Sequence, residues 1–335
     1  MFREAAEAPV AVERQLAANG AAVRELAQRL KATPPRALVT VARGSSDNAA
    51  TYVRYLVETR LGLLTASASP SVSSVYRRQV DMQGVLLLAI SQSGQSPDLV
   101  ATLERARAAG AFIVALVNVP GSPLERMAHL TLPLHAGAER SVAATKSCIT
   151  ALAALAHLVA AWSGDAEMEA ALEQLPRQLQ QAWDCDWSGG MESLVAARDM
   201  YVIGRGVGFG VAQEAALKLK ETCGLHAEAF SAAEVLHGPA VLVGAGFPVL
   251  AFAQNDESRD SIRAAADRLG ATGGRLLLAG LEAEGAIALP TLAASPALEP
   301  ILMLQSFYRM AEALSRARGR DSDAPPHLRK VTETV

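Results

Sequence analysis

Cysteine, aromatic side chains and clustered positive charge are all scarce in this chain, and each shortage removes a class of function. The 335 residues hold 3 cysteines, Cys148, Cys185 and Cys223. An odd number at wide spacing suits neither a disulfide framework nor a zinc site built on CxxC pairs, so all three are expected to be reduced and packed inside. Aromatic residues make up 4%, and 31 Lys+Arg against 34 Asp+Glu leave a net charge of −3 without any Lys/Arg block. The basic footprint and the stacking platform of a nucleic-acid binder are therefore missing. The longest apolar run, Cys148 to Trp162, has fifteen residues and contains His157, short of the ~20 needed to cross a bilayer. It reads as a buried helix. Glu4 and Glu7 stand where a secretory leader would need a cationic start and an apolar stretch, so a cytoplasmic location is expected, with no membrane partner.

What is present is a packed α/β chain. Half of the residues are hydrophobic and 19% are charged, which places the chain among compact globular proteins, and its length suggests two domains at roughly 150 residues each. Residues 8 to 31 show apolar positions at helical spacing, expected to break near Asn19-Gly20 and to end at Pro34-Pro35; residues 1–33 form a helical leader. From there short apolar runs (ALVTVA at 37, GVLLLAIS at 84, FIVALV at 112, HLTLPL at 129) alternate with Ala-rich helical stretches. That alternation predicts parallel strands with helical crossovers. A polar stretch around 163–193 marks the best boundary, after which the alternation resumes at MYVIG, FPVLAFA and RLLLAG. The expected domains are 34–165 and 190–320, followed by a tail at 321–335.

A single offset of 162 relates the two halves. It maps Arg43-Gly44 onto Arg205-Gly206, Gln92, Ser96 and Asp98 onto Gln254, Ser258 and Asp260, and Val114-Ala115-Leu116 onto Leu276-Leu277-Leu278. The chain reads as two copies of one α/β unit. The same shift turns Ser45, Ser46, Ser91 and Ser93 into Val207, Gly208, Ala253 and Asn255, so these hydroxyls belong to the first copy.

Those serines form the first candidate site. RGSSDNA from Arg43 and SQSGQSPD from Ser91 each follow an apolar strand and precede a helical stretch, which puts both loops at the carboxyl edge of an open parallel sheet. The hydroxyls of Ser45, Ser46, Ser91, Ser93 and Ser96, close backbone approach at Gly44 and Gly94, and a helix starting near Pro97 together suit a phosphate dianion. Either loop alone would read as ordinary turn and cap residues. There is no GxxxxGK[ST], and GRGVGFG at 204 has the spacing GxGxGxG rather than GxGxxG, so a phosphorylated metabolite fits better than a nucleotide. No cofactor or metal is called for.

The second candidate is EAALKLKETCGLHAE, where Glu214, Lys218 and Glu221 fall at i, i+4 and i+7, within about 60° on one helix face. Spacing alone describes a charged surface stripe on an amphipathic helix. His237, in front of Gly-Pro, is expected in a turn. Lys330, in the aperiodic tail APPHLRKVTETV, reads on its own as a solvated amine.

Taken together, RGSS, SQSGQSPD, VAATKS from Val142, EAALKLKE, GLHAEAF, EVLHGP and LRKVTETV resemble the sugar-isomerase (SIS) domain family over nearly the whole chain from about residue 36. The wording is similar to the isomerase half of the glucosamine-6-phosphate synthases and to the SIS-type glucosamine-6-phosphate deaminases. The resemblance implies two tandem SIS domains, each a mostly parallel sheet in a flavodoxin-like α-β-α sandwich. It implies a small phosphorylated sugar held by Ser46, Ser91, Gln92, Ser93 and Ser96, with Ser45 and Val142 alongside. Glu221 matches the carboxylate that moves a proton between C1 and C2, His237 the ring-opening histidine donated across a homodimer interface, and Lys330 the lysine that forms a Schiff base with the ketose. Lys218 matches the lysine beside the reacting carbons.

Such roles are chemically coherent, because an aldose–ketose shift needs a carboxylate that takes and returns a proton and a group that opens the ring near neutrality. Gln95 and Ala144 depart from the Glu and Ser of the synthases, which bears on the sugar contacts. The chain begins Met1-Phe2 without the synthases' glutaminase segment, which favours ammonia release from glucosamine 6-phosphate. The alternatives are a glutaminase-less synthase-like isomerase or aminotransferase acting on another sugar phosphate, and a non-catalytic SIS phosphosugar sensor.

Overall fold

The computed structural model describes residues 1–330, and the end of the tail motif, 331–335, lies outside the described residues. In chain order the first elements are α1 (Phe2–Ala6), α2 (Ala8–Ala32), β1 (Ala37–Val41), α3 (Ser45–Leu61), β2 (Thr65–Ser67), α4 (Pro70–Ser74), β3 (Val85–Ser91), α5 (Pro97–Ala108), β4 (Phe112–Val117), α6 (Pro123–Met127), β5 (Leu130–Thr131) and α7 (Lys146–Ser163). They are followed by α8 (Ala166–Asp184), α9 (Glu192–Val195), β6 (Asp199–Gly204), α10 (Gly208–Cys223), β7 (His226–Ser231), β8 (Pro248–Phe252), α11 (Arg259–Ala271), β9 (Arg275–Ala279), β10 (Ile287–Leu289) and α12 (Glu299–Ala317).

The strands form two five-stranded sheets, ordered β2-β1-β3-β4-β5 and β10-β9-β8-β6-β7. Neighbours in both pair in parallel. Parallel sheets are covered on both faces, so their strands read as continuous apolar runs; β3 is buried at every position. Each sheet belongs to one compact unit. The β1–β5 unit contains Val10–Glu139, Lys146–Glu173 and the described residues from Leu328 on; the β6–β10 unit contains Met1–Pro9, Arg140–Thr145 and Gln174–His327.

The repeat persists in the structure. Adding 162 to α3 gives 207–223 against α10 at Gly208–Cys223, and adding it to α5 gives 259–270 against α11 at Arg259–Ala271. Core positions follow the same shift: Val41, Leu87 and Ala89 in one unit answer Ile203, Val249 and Ala251 in the other. The register fails only late, since β5 would map to 292–293 whereas β10 is Ile287–Leu289.

Two expectations change. Helix α2 runs through Asn19-Gly20 without a break, because Asn19 is buried and its Nδ2 donates to the Pro133 carbonyl at 2.8 Å, giving the polar side chain a partner without leaving the helix. The run HLTLPL contributes only a two-residue strand, β5, at the sheet edge. The fifteen-residue apolar run lies in α7, which is long and apolar enough to cross a membrane yet has 89% of that window buried inside the protein.

Candidate functional site

In the β1–β5 unit the strand order reverses between β1 and β3, and such a switch point at the carboxyl ends of the strands is where open α/β sheets take ligands. The two serine loops meet the sheet there. Helix α3 starts at Ser45 with Gly44 as N-cap, and α5 starts at Pro97 with Ser96 as N-cap; neither start is closed by a hydrogen bond to a cap side chain. By contrast, Ser122 caps α6 by accepting from the Glu125 N–H. The Ser46, Asp47 and Asn48 N–H groups of α3 donate to the Arg43 and Gly44 carbonyls, and the Leu99 N–H of α5 donates to Asp98 Oδ1, so what both helices offer at the switch point is mainly the positive end of the helix dipole, which favours an anion.

The hydroxyls are pre-set. Ser91 Oγ accepts from the Gly94 N–H at 3.0 Å and Ser93 Oγ from the Gln95 N–H at 3.3 Å. A hydroxyl that accepts from the backbone still has its proton to donate. Gly94 permits the turn: its φ is +63°, and a Cβ there would sit 2.6 Å from Ser122 Cβ. Arg43 ties the loops together, with Nε and Nη2 at 2.8 and 2.7 Å from Asp98 Oδ2 in the first turn of α5. Asp98 is buried, so this ion pair is shielded on the carboxylate side. The repeat singled out Arg43 and Asp98 as matching positions without indicating that they pair. Gln92, Ser46 and Ser96 are partly exposed on the same loops.

Lys330 also falls in this unit. Its Nζ lies 3.3 Å from Glu139 Oε2, a buried carboxylate that in addition accepts from the Ser147 N–H at 3.1 Å and from the Ser147 hydroxyl. The amine expected in solvent is thus paired, and its partner Glu139, 191 positions away, is one that spacing could not reveal.

The β6–β10 unit holds the residues matched to acid–base roles. On α10, Lys218 Nζ lies 3.5 Å from Glu214 Oε1 and bonds Glu221 Oε2; Tyr308 Oη of α12 donates to Glu214 Oε1 at 3.0 Å. The side chains of Glu214 and Lys218 are only 1% exposed, against 23% for Glu221. The face expected as a surface stripe is therefore buried against α12, to which α10 is also linked by Ser315 Oγ donating to the Thr222 carbonyl at 2.8 Å. An ammonium between two carboxylates is a coupled charge cluster, and among the three Glu221 alone keeps appreciable access to solvent. Burial pushes the nearby Cys223 thiol above its ordinary range, which keeps it an inert packing residue.

His237 sits in the expected turn, just after a 3-10 segment at Glu234–Leu236, and is exposed. Among the described residues no hydrogen bond or ion pair joins it to Glu221 or Lys218. It is followed by two strongly exposed apolar side chains, Val241 at 86% and Leu242 at 65%. Val142 donates its N–H to the Asp323 carbonyl at 3.1 Å, linking the VAATKS segment to the start of the tail.

The switch point of this unit, between β6 and β8, is furnished differently. Gln254, fully buried, places Nε2 at 2.8 Å from the Arg205 carbonyl, 2.9 Å from Asp256 Oδ2 and 2.8 Å from Ser258 Oγ. Asp256 Oδ1 accepts from the Ser258 N–H at 2.9 Å and from its hydroxyl.

The SIS domain family model matches residues 33–161 and 193–287. The chain belongs to the SIS domain family. This SIS protein is 33% identical over 308 residues to a glutamine–fructose-6-phosphate aminotransferase (isomerizing) of Zymomonas mobilis, covering 87% of the chain and 51% of that relative. It therefore spans about half the length of the curated relatives it matches. Among solved structures, a phosphosugar isomerase candidate from Silicibacter pomeroyi DSS-3 superposes with a TM-score of 0.92 at 42% identity, covering 96% of this chain and 99% of that one. The C-terminal domain of glucosamine-fructose-6-phosphate aminotransferase from Francisella tularensis gives a TM-score of 0.87 at 26% identity, covering 97% and 98%. The chain's relatives in sequence and fold are thus of the phosphosugar isomerase type.

Proposed function

We propose that this SIS protein converts glucosamine 6-phosphate to fructose 6-phosphate and ammonia. The observation that carries the reading is Glu221, a carboxylate held by a buried ammonium yet open enough to meet a substrate. In the open-chain amino sugar it takes the C2 proton and returns it to C1, turning the aldehyde carbon into a hydroxymethyl group and leaving an imine at C2. Lys330 attacks that imine and expels ammonia, and water then hydrolyses the resulting lysine imine to the ketone. Lys218 holds Glu221 as a charged base and keeps positive potential beside the reacting carbons.

The phosphate belongs, in this reading, to Ser46, Ser91, Gln92, Ser93 and Ser96, whose hydroxyls and helix N-termini hold a dianion without a basic patch. Ser45 and Val142 contact the sugar. Lys330 forms its imine at the carbon that becomes the ketose carbonyl, and Glu139 is the carboxylate that takes its ammonium proton before it attacks. His237 opens the ring from a second copy of the chain; its exposure beside Val241 and Leu242 supports a homodimer that covers this segment. The two copies, 34–165 and 190–320, divide the labour, with the tail supplying Lys330 in a cytoplasmic enzyme.

The test is an assay of ammonia and fructose 6-phosphate from glucosamine 6-phosphate with the full chain, run beside fructose 6-phosphate alone and other aldose phosphates. Stoichiometric release of both products is expected. Absence of ammonia with turnover of another phosphosugar would replace the deamination by simple isomerisation, and binding without any turnover would make the protein a sensor.

A further inference from the structure

The β6–β10 unit has a cavity that the chemistry above does not use. Its volume is about 570 Å³, and it lies at the carboxyl ends of β9 and β10, lined among others by Arg259 and Arg263 of α11, Gly280 and Glu282 after β9, and Thr291 after β10. That size is within the range of about 300–1,000 Å³ common for small-molecule sites, and the carboxyl edge of a parallel sheet is where this architecture takes ligands.

Among the described residues neither Arg259 nor Arg263 makes an ion pair with a carboxylate, as Arg43 does with Asp98 at the serine loops. Arg263 Nη1 donates to the Glu282 carbonyl at 3.2 Å and Arg259 Nη1 to the Ala253 carbonyl at 3.4 Å, single bonds that orient each guanidinium and leave most of its five donors unused. Spacing of i,i+4 puts both on one face of α11. The Glu282 carboxylate in the same lining makes no ion pair with either. Gly280, at φ +85°, brings bare backbone to the wall, and a Cβ there would collide with the Ala253 carbonyl.

We propose that this cavity binds the phosphate group of a phosphorylated metabolite, held by Arg259 and Arg263, as a second anion site independent of the serine loops. Two guanidinium forks suit a phosphate better than a point charge does, and the volume leaves room for an organic body beyond the phosphate.

The experiment is calorimetric titration of the full chain at low salt with fructose 6-phosphate and, separately, with inorganic phosphate. Two binding events per chain are expected with the sugar phosphate, the arginine-held one weakening as salt rises. Arg259→Gln with Arg263→Gln should weaken that event at least tenfold while the event sensitive to Ser93→Ala stays within twofold. Ala288→Trp, which fills the cavity and keeps both arginines, should also remove it, with native unfolding midpoints confirming the fold of each variant. Equal affinity for inorganic phosphate would assign the site to the free ion, overturning the metabolite. A second event unchanged in either variant, or a single event abolished by Ser93→Ala, overturns the site itself, whatever the turnover of the enzyme.

Discussion

At the switch point of the β1–β5 sheet, Ser91 and Ser93 retain hydroxyl protons to give. At the matching place in the β6–β10 sheet the chain has supplied its own carboxylate, since Asp256 takes the Ser258 N–H and the Gln254 amide that an anion would otherwise take. Asp256 stands where the offset of 162 places Gly94. That carboxylate, with Ala253 and Asn255 in place of the Ser91 and Ser93 hydroxyls, separates a loop that can receive a charge from one that already contains it. A duplicated fold keeps its strands, its helix starts and its core, and changes what the loops hold.

The strongest way to test the division is at the acid–base helix. Glu221→Gln should lower turnover by about 10²–10⁴-fold, the usual worth of a positioned general base, with phosphosugar affinity unchanged by calorimetry. A variant with wild-type rates would take Glu221 out of the chemistry. Lys218→Ala should cost ~3–5 kcal/mol in urea unfolding, because it leaves Glu214 buried without its ammonium; an effect below 1 kcal/mol would mean the cluster is not coupled.

The loop comparison itself is sharpened by a matched pair. Ser93→Ala should weaken phosphosugar binding by about tenfold or more, as expected for a hydrogen bond to a charged group, while Asn255→Ala, at the equivalent position, should leave binding within twofold. Equal effects would erase the distinction. Asp256→Asn should leave turnover intact and cost roughly 1 kcal/mol of stability, read from the unfolding midpoint.

The smallest effect concerns His157 on α7, whose pKa burial holds below its ordinary 6.5, with the Arg24 charge adding to the depression. Above 6.5 both folded and unfolded states are neutral at this residue. As the pH falls below 6.5, the unfolded chain takes a proton that the folded protein refuses, so stability declines until the depressed folded value is passed. His157→Gln should flatten that part of the profile of unfolding midpoint against pH.

Most of the fold is legible in the sequence because parallel strands declare themselves as apolar runs and the repeat fixes their order. The serine loops are legible for the same reason: each follows a strand and opens a helix. The surroundings of the charged groups are not. Spacing puts Glu214, Lys218 and Glu221 on one face of α10, yet only the packing of α12, which brings Tyr308 from 94 positions away, decides that this face is interior. Asn19 marks a helix break in sequence and is instead a buried donor to Pro133. Glu139 had no motif to single it out, since its partner Lys330 lies near the far end of the chain.

That last pairing sets an order of events during synthesis. At about 5–20 residues per second, the 191 positions between Glu139 and Lys330 occupy the ribosome for roughly 10 to 40 s. The carboxylate and its serine partner can therefore be in place well before the amine is made. A nascent chain thus holds both sheets, both serine loops and Glu221 while Glu139 still waits for the ammonium that pairs with it, and a buried carboxylate spends that interval without that cation.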